Sequence, residues 1–473
     1  MLPHAQSVPV VSVNPPDLPS PAARALAEAL HAALADAWTA VDAPGPLDAA
    51  PPVTDYRAAP VPDDLLSGRA ELIVEASDLP ALRAALSSGA DAVVIDFDDT
   101  FAPTPANVAA AWAALPEWLA ADVPLLARPR ALYAPQPGLS FAGQPARGAL
   151  CDLAALLTAR PGRVPHLYLP KLESVPQARA WATALRASEV HLGLKPGTLR
   201  VCLQIETLPG LLHMDALLAE LREWAFGLNA GRWDYVFSLV KTTGATRTVP
   251  VPPRAGLGMD VDAMQAYAQA LVDACRARGA QAVGGTAAVS PDPRDPTPAL
   301  DAVRADKARE AAQGFQGAWA GLPELLDAMR EGLATPTPTP APTAPVTRER
   351  LLALPDPSPL PAAEVRDTLG LALDVFGAWF AGRGVITRNG RIEDTATAEL
   401  ARALLWQWAR VGAPLDDGSV FDRAAYRALR RALRPDNAPE ATLLDHVVLA
   451  DAAPAYVPLE AHRLTLTERT FHD

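Results

Sequence analysis

Val201-Cys202-Leu203-Gln204-Ile205-Glu206 opens the stretch on which the fold turns, and Gly227-Leu228-Asn229-Ala230-Gly231-Arg232-Trp233-Asp234-Tyr235 closes it. The first segment is an apolar run that ends in a carboxylate. An amphipathic stretch, 211–224, follows at about one helix length. The last segment is punctuated by glycine and carries a second carboxylate, Asp234. This order predicts strand, helix, strand, with Glu206 and Asp234 at the ends of successive strands. Two oxygen ligands placed there could share one Mg²⁺.

The same alternation extends outward. Eight short apolar runs lie at 71–75, 92–97, 124–128, 166–170, 201–206, 224–229, 281–285 and 315–320. Helical patterns separate most of them, at 79–88, 105–121, 176–187, 211–223, 262–278 and 301–312. Strands that alternate with helices imply parallel pairing. Eight such units in residues 70–333 predict a (β/α)₈ TIM barrel. An open doubly wound sheet is the competing arrangement.

Proline-rich segments bound the barrel. Residues 1–69 form an N-terminal segment with one helix at 20–40, capped by Ser20 with Pro21 at its first position. Residues 334–347 alternate proline with threonine and alanine. They offer no side chain with which to build a core, so a stiff extended linker is expected. Residues 348–473 read as a C-terminal helical domain, with helices at 361–381, 394–411, 422–434 and 439–449 and no strand-like alternation.

Composition excludes several classes. The 473 residues carry a net charge of −13 and no long basic run, so nucleic acid and anionic membrane are poor partners. No apolar run of about 18 residues exists to span a membrane. The N-terminus lacks the basic-then-apolar order of a signal peptide. The three cysteines, Cys151, Cys202 and Cys275, are scattered, which argues against a disulfide framework or a zinc site. A cytoplasmic protein is expected, as a monomer or small homo-oligomer.

Polar residues gather where the predicted strands end, which is the catalytic face of a barrel. They are Asp96, Asp98 and Asp99; Arg128 and Arg130; Lys171 and Glu173; Glu206; and Asp234. Any one of them could instead cap a helix or face water. Val93 to Thr100, an apolar run followed by Asp-Phe-Asp-Asp-Thr, is also similar to the nucleophile loop of haloacid-dehalogenase-type phosphatases. Lys171 and Glu173 could be a strand-end ion pair. Asp394, ahead of an apolar helical pattern, reads on its own as a helix N-cap.

These segments together resemble the malate synthases of the shorter, A-type form. The carriers are Ile205-Glu206-Thr207; Gly227 to Tyr235; Val93 to Thr100 for the family's DFEDS; Leu126 to Arg130 for RPRG; and Tyr168 to Ser174 for YLPKMES. Gly279 to Ala288, Val303 to Glu310 and Gly314 to Trp319 are similar to later barrel motifs. Ile392 to Glu399 and Leu405 to Trp408 resemble LMEDAATAEIS and LWQW. The likeness covers about 70–330 and 365–460. The chain departs from it at Asp98, Thr100, Ala131 to Ala134, Gln316 and Leu322.

The resemblance implies an acyltransferase of the glyoxylate cycle. It would condense acetyl-CoA with glyoxylate and hydrolyse the product to (S)-malate and CoA, with Mg²⁺ as cofactor. It implies that Glu206 and Asp234 hold the metal and that Asp98 and Asp99 hold its waters. Arg128 would stabilise the enolate oxygen, and Asp394 would remove the methyl proton. The glyoxylate carboxylate would rest on Gly231, Arg232 and Trp233, and Trp319 would line the acetyl-CoA pocket. The rivals are a citrate-lyase-β-like lyase or thioesterase, a degenerate acyl-CoA-binding relative and, last, a phosphatase.

Overall fold

The computed structural model describes residues 17–51, 53–65, 69–336, 345–355 and 359–470. The eight expected runs form the strands Arg69–Glu75, Ala92–Asp96, Leu125–Arg128, His166–Leu169, Val201–Ile205, Ala225–Ala230, Gln281–Ala287 and Gly317–Ala320. All pair in parallel with their neighbours in this order, and the last pairs with the first, so the sheet closes. The open-sheet alternative is thereby set aside.

Closed parallel sheets are buried on both faces, which is why these runs are almost continuously apolar. One face fills the barrel: Ile73, Val94, Leu126, Tyr168, Cys202, Phe226, Val283 and Trp319 pack as one interior cluster. The other face meets the surrounding helices in a second, larger core. Towards the start of the strands Glu71 accepts from Tyr168 Oη at 2.8 Å, and Arg69 Nη1 donates to Gln281 at 2.7 Å. That end is closed by a buried polar network.

The six predicted barrel helices are present, with ends shifted by a few residues at most positions. Helices Gly148–Thr158 and Arg232–Thr243 were not anticipated. The first is buried along nearly its whole length, so it lacks an amphipathic period. In the second, Asp234 to Val240 are all buried and read like a strand. An antiparallel hairpin, Pro135–Phe141 with Gln144–Arg147, was also unexpected. The expected helix at 20–40 is Pro21–Ala33, capped by Ser20, followed by the short Trp38–Val41. Residues 337–344 of the expected linker, and 1–16, lie outside the described residues.

The C-terminal region is helical, with Ala362–Phe380, Thr395–Val411, Arg423–Leu433 and Pro439–Val448 where expected. It is not free of strands. Ile386–Arg388 pairs with Arg391–Glu393 across Asn389-Gly390, and Ala413–Pro414 pairs with Val420–Phe421. Helix Thr395–Val411 packs on both Ala362–Phe380 and the barrel helix Arg232–Thr243. The first hairpin continues onto the barrel rim. Ile392 N donates to Ala288 O at 3.0 Å, and Ser290 N donates to Gly390 O at 2.9 Å.

Candidate active site

The C-terminal ends of the strands and the first turn of Thr395–Val411 enclose a cavity of about 330 Å³. Asp99, Arg128, Glu206, Asp234, Trp319 and Asp394 all line it. Side chains from strands far apart in sequence therefore converge with one from the C-terminal region.

Arg128 ends its strand beside Asp96, its register partner on the neighbouring strand. Its Nε and Nη2 each donate to Asp96 at 2.5 Å, and Nη1 donates to Asp99 at 2.8 Å. Asp96 also accepts from the Asp98 and Thr100 amides and from the Thr100 hydroxyl. Both its oxygens are committed, so Asp96 is no free nucleophile and the phosphatase reading fails. Burial alone would weaken a guanidinium's charge, but Asp96 and Asp99 hold Arg128 well above its ordinary pKa. Arg130 points elsewhere, donating to Asp152 at 2.8 and 2.7 Å.

Asp99, Glu206 and Asp234 form a buried cluster in which one oxygen from each lies within 4.8 Å of the others. Glu206 stands one residue past its strand. Asp234, expected at a strand end, lies instead in the first turn of Arg232–Thr243, because the preceding strand stops at Ala230 and Gly231 alone makes the connection. Gly231 has to be glycine: a Cβ there would collide with the Glu206 carboxylate.

Lys171 sits among these acids. Its Nζ lies 2.9 Å from Asp234, 2.8 Å from Asp99, and 3.4 Å from both Glu206 and Asp98. Burial disfavours the ammonium, but Asp234 and Asp99 raise its pKa well above the ordinary value. It does not pair with Glu173, whose Oε1 instead accepts from Tyr456 Oη at 3.3 Å. Its central place was missed in the sequence.

Burial, and then Asp99, push the Asp234 carboxyl well up; burial likewise raises Glu206. For Asp99 the penalty of burial is outweighed by Lys171 and Arg128, which hold it below the usual range. The free oxygens are distributed unevenly. Both Asp99 oxygens accept hydrogen bonds. Glu206 Oε2, Asp234 Oδ1 and Asp98 Oδ2 are buried without a hydrogen bond, although Asp98 Oδ2 has the Lys171 ammonium 3.4 Å away. Buried carboxyl oxygens left without a hydrogen bond are costly, and those of Glu206 and Asp234, in the cluster they form with Asp99, suit a hard divalent cation. Asp98 Oδ1 accepts from Ala131 N at 3.1 Å, and burial with Asp99 pushes Asp98 up to about 7.

Gly231, Arg232 and Trp233 form the start of a helix, where the first backbone N–H groups lack intrahelical acceptors. Trp319 faces the barrel interior, 5.3 Å from the Arg128 guanidinium and edge-on to Tyr168. Leu322 lines the cavity, whereas Gln316 precedes its strand at the opposite end of the barrel. Tyr133 stacks on Tyr456 of the C-terminal region, with ring centroids 4.5 Å apart.

Asp394 caps helix Thr395–Val411. Its Oδ1 accepts from Thr397 N at 3.2 Å, and Thr397 Oγ1 accepts from Asp394 N at 3.1 Å. The main chain beyond it is tied to the acid cluster, since Thr395 N donates to Asp99 O at 3.2 Å. Burial, reinforced by Asp99, pushes the Asp394 carboxyl up to about 7. A carboxyl poised near neutral pH can both take up and give up a proton there.

Comparison with known proteins agrees with this arrangement. A family model described as "Malate synthase, TIM barrel domain" matches residues 124–340, and "Malate synthase, C-terminal" matches 361–434. The chain is 33% identical over 404 residues to a malate synthase of Myxococcus xanthus (strain DK1622), covering 79% of this chain and 74% of that protein. It is 35% identical over 413 residues to a malate synthase of Streptomyces clavuligerus, covering 79% and 76%. A Haloferax volcanii malate synthase, solved as a pyruvate/acetyl-CoA ternary complex, shares the fold with a TM-score of 0.54 at 18% identity, over 74% of this chain and 93% of that one. With matches to both family domains and relatives above 30% identity across most of their own length, the chain belongs to the malate synthase family.

Proposed function

We propose that this chain is a Mg²⁺-dependent malate synthase that condenses acetyl-CoA with glyoxylate and hydrolyses the malyl-CoA thioester to (S)-malate and CoA. One observation carries the reading beyond family membership. Unpartnered carboxylate oxygens on Glu206 and Asp234 share a cavity with a charged, fixed Arg128 and a separate carboxylate, Asp394.

Glu206 and Asp234 are the residues to hold Mg²⁺, and Asp98, whose Oδ2 accepts no hydrogen bond and has only the Lys171 ammonium 3.4 Å away, would accept from water. When bound, the metal supplies Lewis acidity to the 2-oxo acid. The protein's own groups do the rest. Asp394 keeps one oxygen on Thr397 N and takes a methyl proton on the other. Arg128 has N–H groups beyond those bonded to Asp96 and Asp99, and its charge is in place before the enolate oxygen develops. The N–H groups at Gly231 to Trp233 suit the glyoxylate carboxylate. Trp319 and Leu322 give the cavity an apolar wall for the acyl group. The C-terminal helix closes the mouth and excludes water.

In this reading the barrel, 70–333, and the helical region, 348–473, each supply part of one site. The compartment is cytoplasmic. The three cysteines are buried and unpaired, and no helix among the described residues is long and apolar enough to cross a membrane. The protein would act as a monomer or small homo-oligomer.

Thiol release from acetyl-CoA tests the reading, measured with Mg²⁺ and with EDTA, with and without glyoxylate. Glyoxylate- and Mg²⁺-dependent release that falls at least about 1,000-fold in Asp394→Asn is expected, the scale of losing a general base together with its placement. Release that ignores glyoxylate would instead identify a thioesterase. Folded protein that binds acetyl-CoA but releases nothing would be a non-catalytic relative.

A further inference from the structure

Behind the cavity wall, three segments remote in sequence meet around Trp233. The Arg254 guanidinium lies 4.3 Å from the centre of its ring, and the Arg232 guanidinium lies 4.6 Å from it. Such stacking is favourable because the ring face is electron-rich. Arg254 Nη1 also donates to both oxygens of Glu393, at 2.9 and 2.8 Å. Glu393 is buried, and Arg254 Nε is buried without a hydrogen-bond partner. Glu393 is thus its anchoring anion.

The neighbours in the chain give this contact its meaning. Trp233 precedes Asp234 of the acid cluster, and Glu393 precedes Asp394. Neither Arg254 nor Glu393 lines the cavity, whereas Trp233 and Asp394 both do. The hairpin that carries Glu393 is held to the barrel by backbone bonds at Gly390 and Ile392, and Thr395 N is bonded to Asp99 O. Between these fixed points, Glu393 ends the hairpin strand and its side chain is held by Arg254, while Asp394 is held by its capping bonds with Thr397.

We infer that Arg254 is a positioning residue which, through Glu393 and Trp233, sets the Asp394 carboxylate at a fixed place relative to the Asp234 side of the cavity. The inference rests on the reading of Asp394 as the base. Arg254 touches no reacting atom; it fixes the group that does. Small displacements of a base are expensive, with roughly 1 Å worth up to about 100-fold in rate.

The test uses the full chain with Arg254→Gln, Arg254→Lys, Glu393→Gln and the Arg254→Gln/Glu393→Gln double variant. Arg254→Gln is expected to lower kcat by about 30-fold or more while the KM for glyoxylate moves by less than about threefold. Arg254→Lys, which keeps the charge, recovers part of the loss. The double variant, which leaves no buried charge unpaired, is no slower than the worse single. Hydrogen exchange of the 390–398 amides reads the same contact without activity, and it should speed up in both Gln variants. Wild-type kcat and wild-type exchange in Arg254→Gln would overturn the inference, as would losses that add in the double variant. A wild-type protein with no glyoxylate-dependent release, but with faster exchange in the variants, would show that the contact positions this segment and that the reading of Asp394 is what failed.

Discussion

Lys171 holds its main chain in the left-handed region, at φ 55°, and its ammonium among four carboxylates. A lysine accepts that backbone only where its surroundings compensate. The compensation is electrostatic: without an internal cation, the buried acids would repel one another. Lys171→Met is expected to cost on the order of 3 kcal/mol in metal-free protein, the scale for removing one partner of a buried charge network. Thermal melting in EDTA and in Mg²⁺ checks this. The variant should melt lower in EDTA and gain more from Mg²⁺ than the wild type does; equal melting in EDTA would refute it. At this scale the sequence was legible for groups whose type and place agree, such as Arg128 and Glu206 at strand ends. Lys171 was opaque because its role depends on a backbone angle that its residue type does not announce. Arg254 and Glu393 were opaque because their meeting is tertiary, with no local pattern to mark it.

Among the elements, the barrel strands were readable from their apolar runs and spacing, but connections that begin at once on a helix were not. Gly231 separates a strand from a helix with no turn signal between them, which shifted Asp234 from a strand end to a helix start. The hairpin before Asp394 did carry a signal. Asn389-Gly390, with φ 50° and 70°, is the pair that a tight two-residue turn favours. Its strands are only three residues each, too short for alternation to show. The first barrel strand ends in Glu75, whose Oε1 accepts from Ser77 Oγ at 2.7 Å. Burial pushes its carboxyl up to about 7 from the ordinary 4.5, against the pull of that bond. Folding therefore favours the protonated form. The resulting penalty is absent below about pH 4.5, grows as pH rises, and is complete above about 7. Glu75→Gln should raise the melting temperature at pH 8 and leave it nearly unchanged at pH 4.5. A pH-independent difference would show that burial does not govern this group.

Across the whole molecule, the C-terminal region completes a site that the barrel begins. The closed sheet brings Asp96, Arg128, Lys171 and Glu206 to one face, while helix Thr395–Val411, packed on Arg232–Thr243, brings Asp394 to meet them. Barrel and helical region were both legible because each repeats or sustains one pattern over many residues. Their mutual contact was expected only through the resemblance, since no periodicity encodes it. Stability should separate from activity at Asp394. Asn caps a helix about as well as Asp does, whereas Ala costs about 1 kcal/mol. Asp394→Asn should melt within a degree or two of the wild type, and Asp394→Ala should melt lower, by calorimetry, although both lose turnover. Equal melting of the two variants would deny the cap its structural share. The shared carboxylate has a further consequence. A protonated carboxyl is a poorer cap than its anion, because a helix start favours negative charge. In the proposed reaction, each proton that Asp394 takes from substrate therefore weakens the beginning of the helix that joins the two regions, and each proton given up restores it. The cap pulls the carboxyl towards its anion while burial and Asp99 pull it, more strongly, towards the acid, and the balance leaves it near neutral pH, where a proton can change hands in both directions.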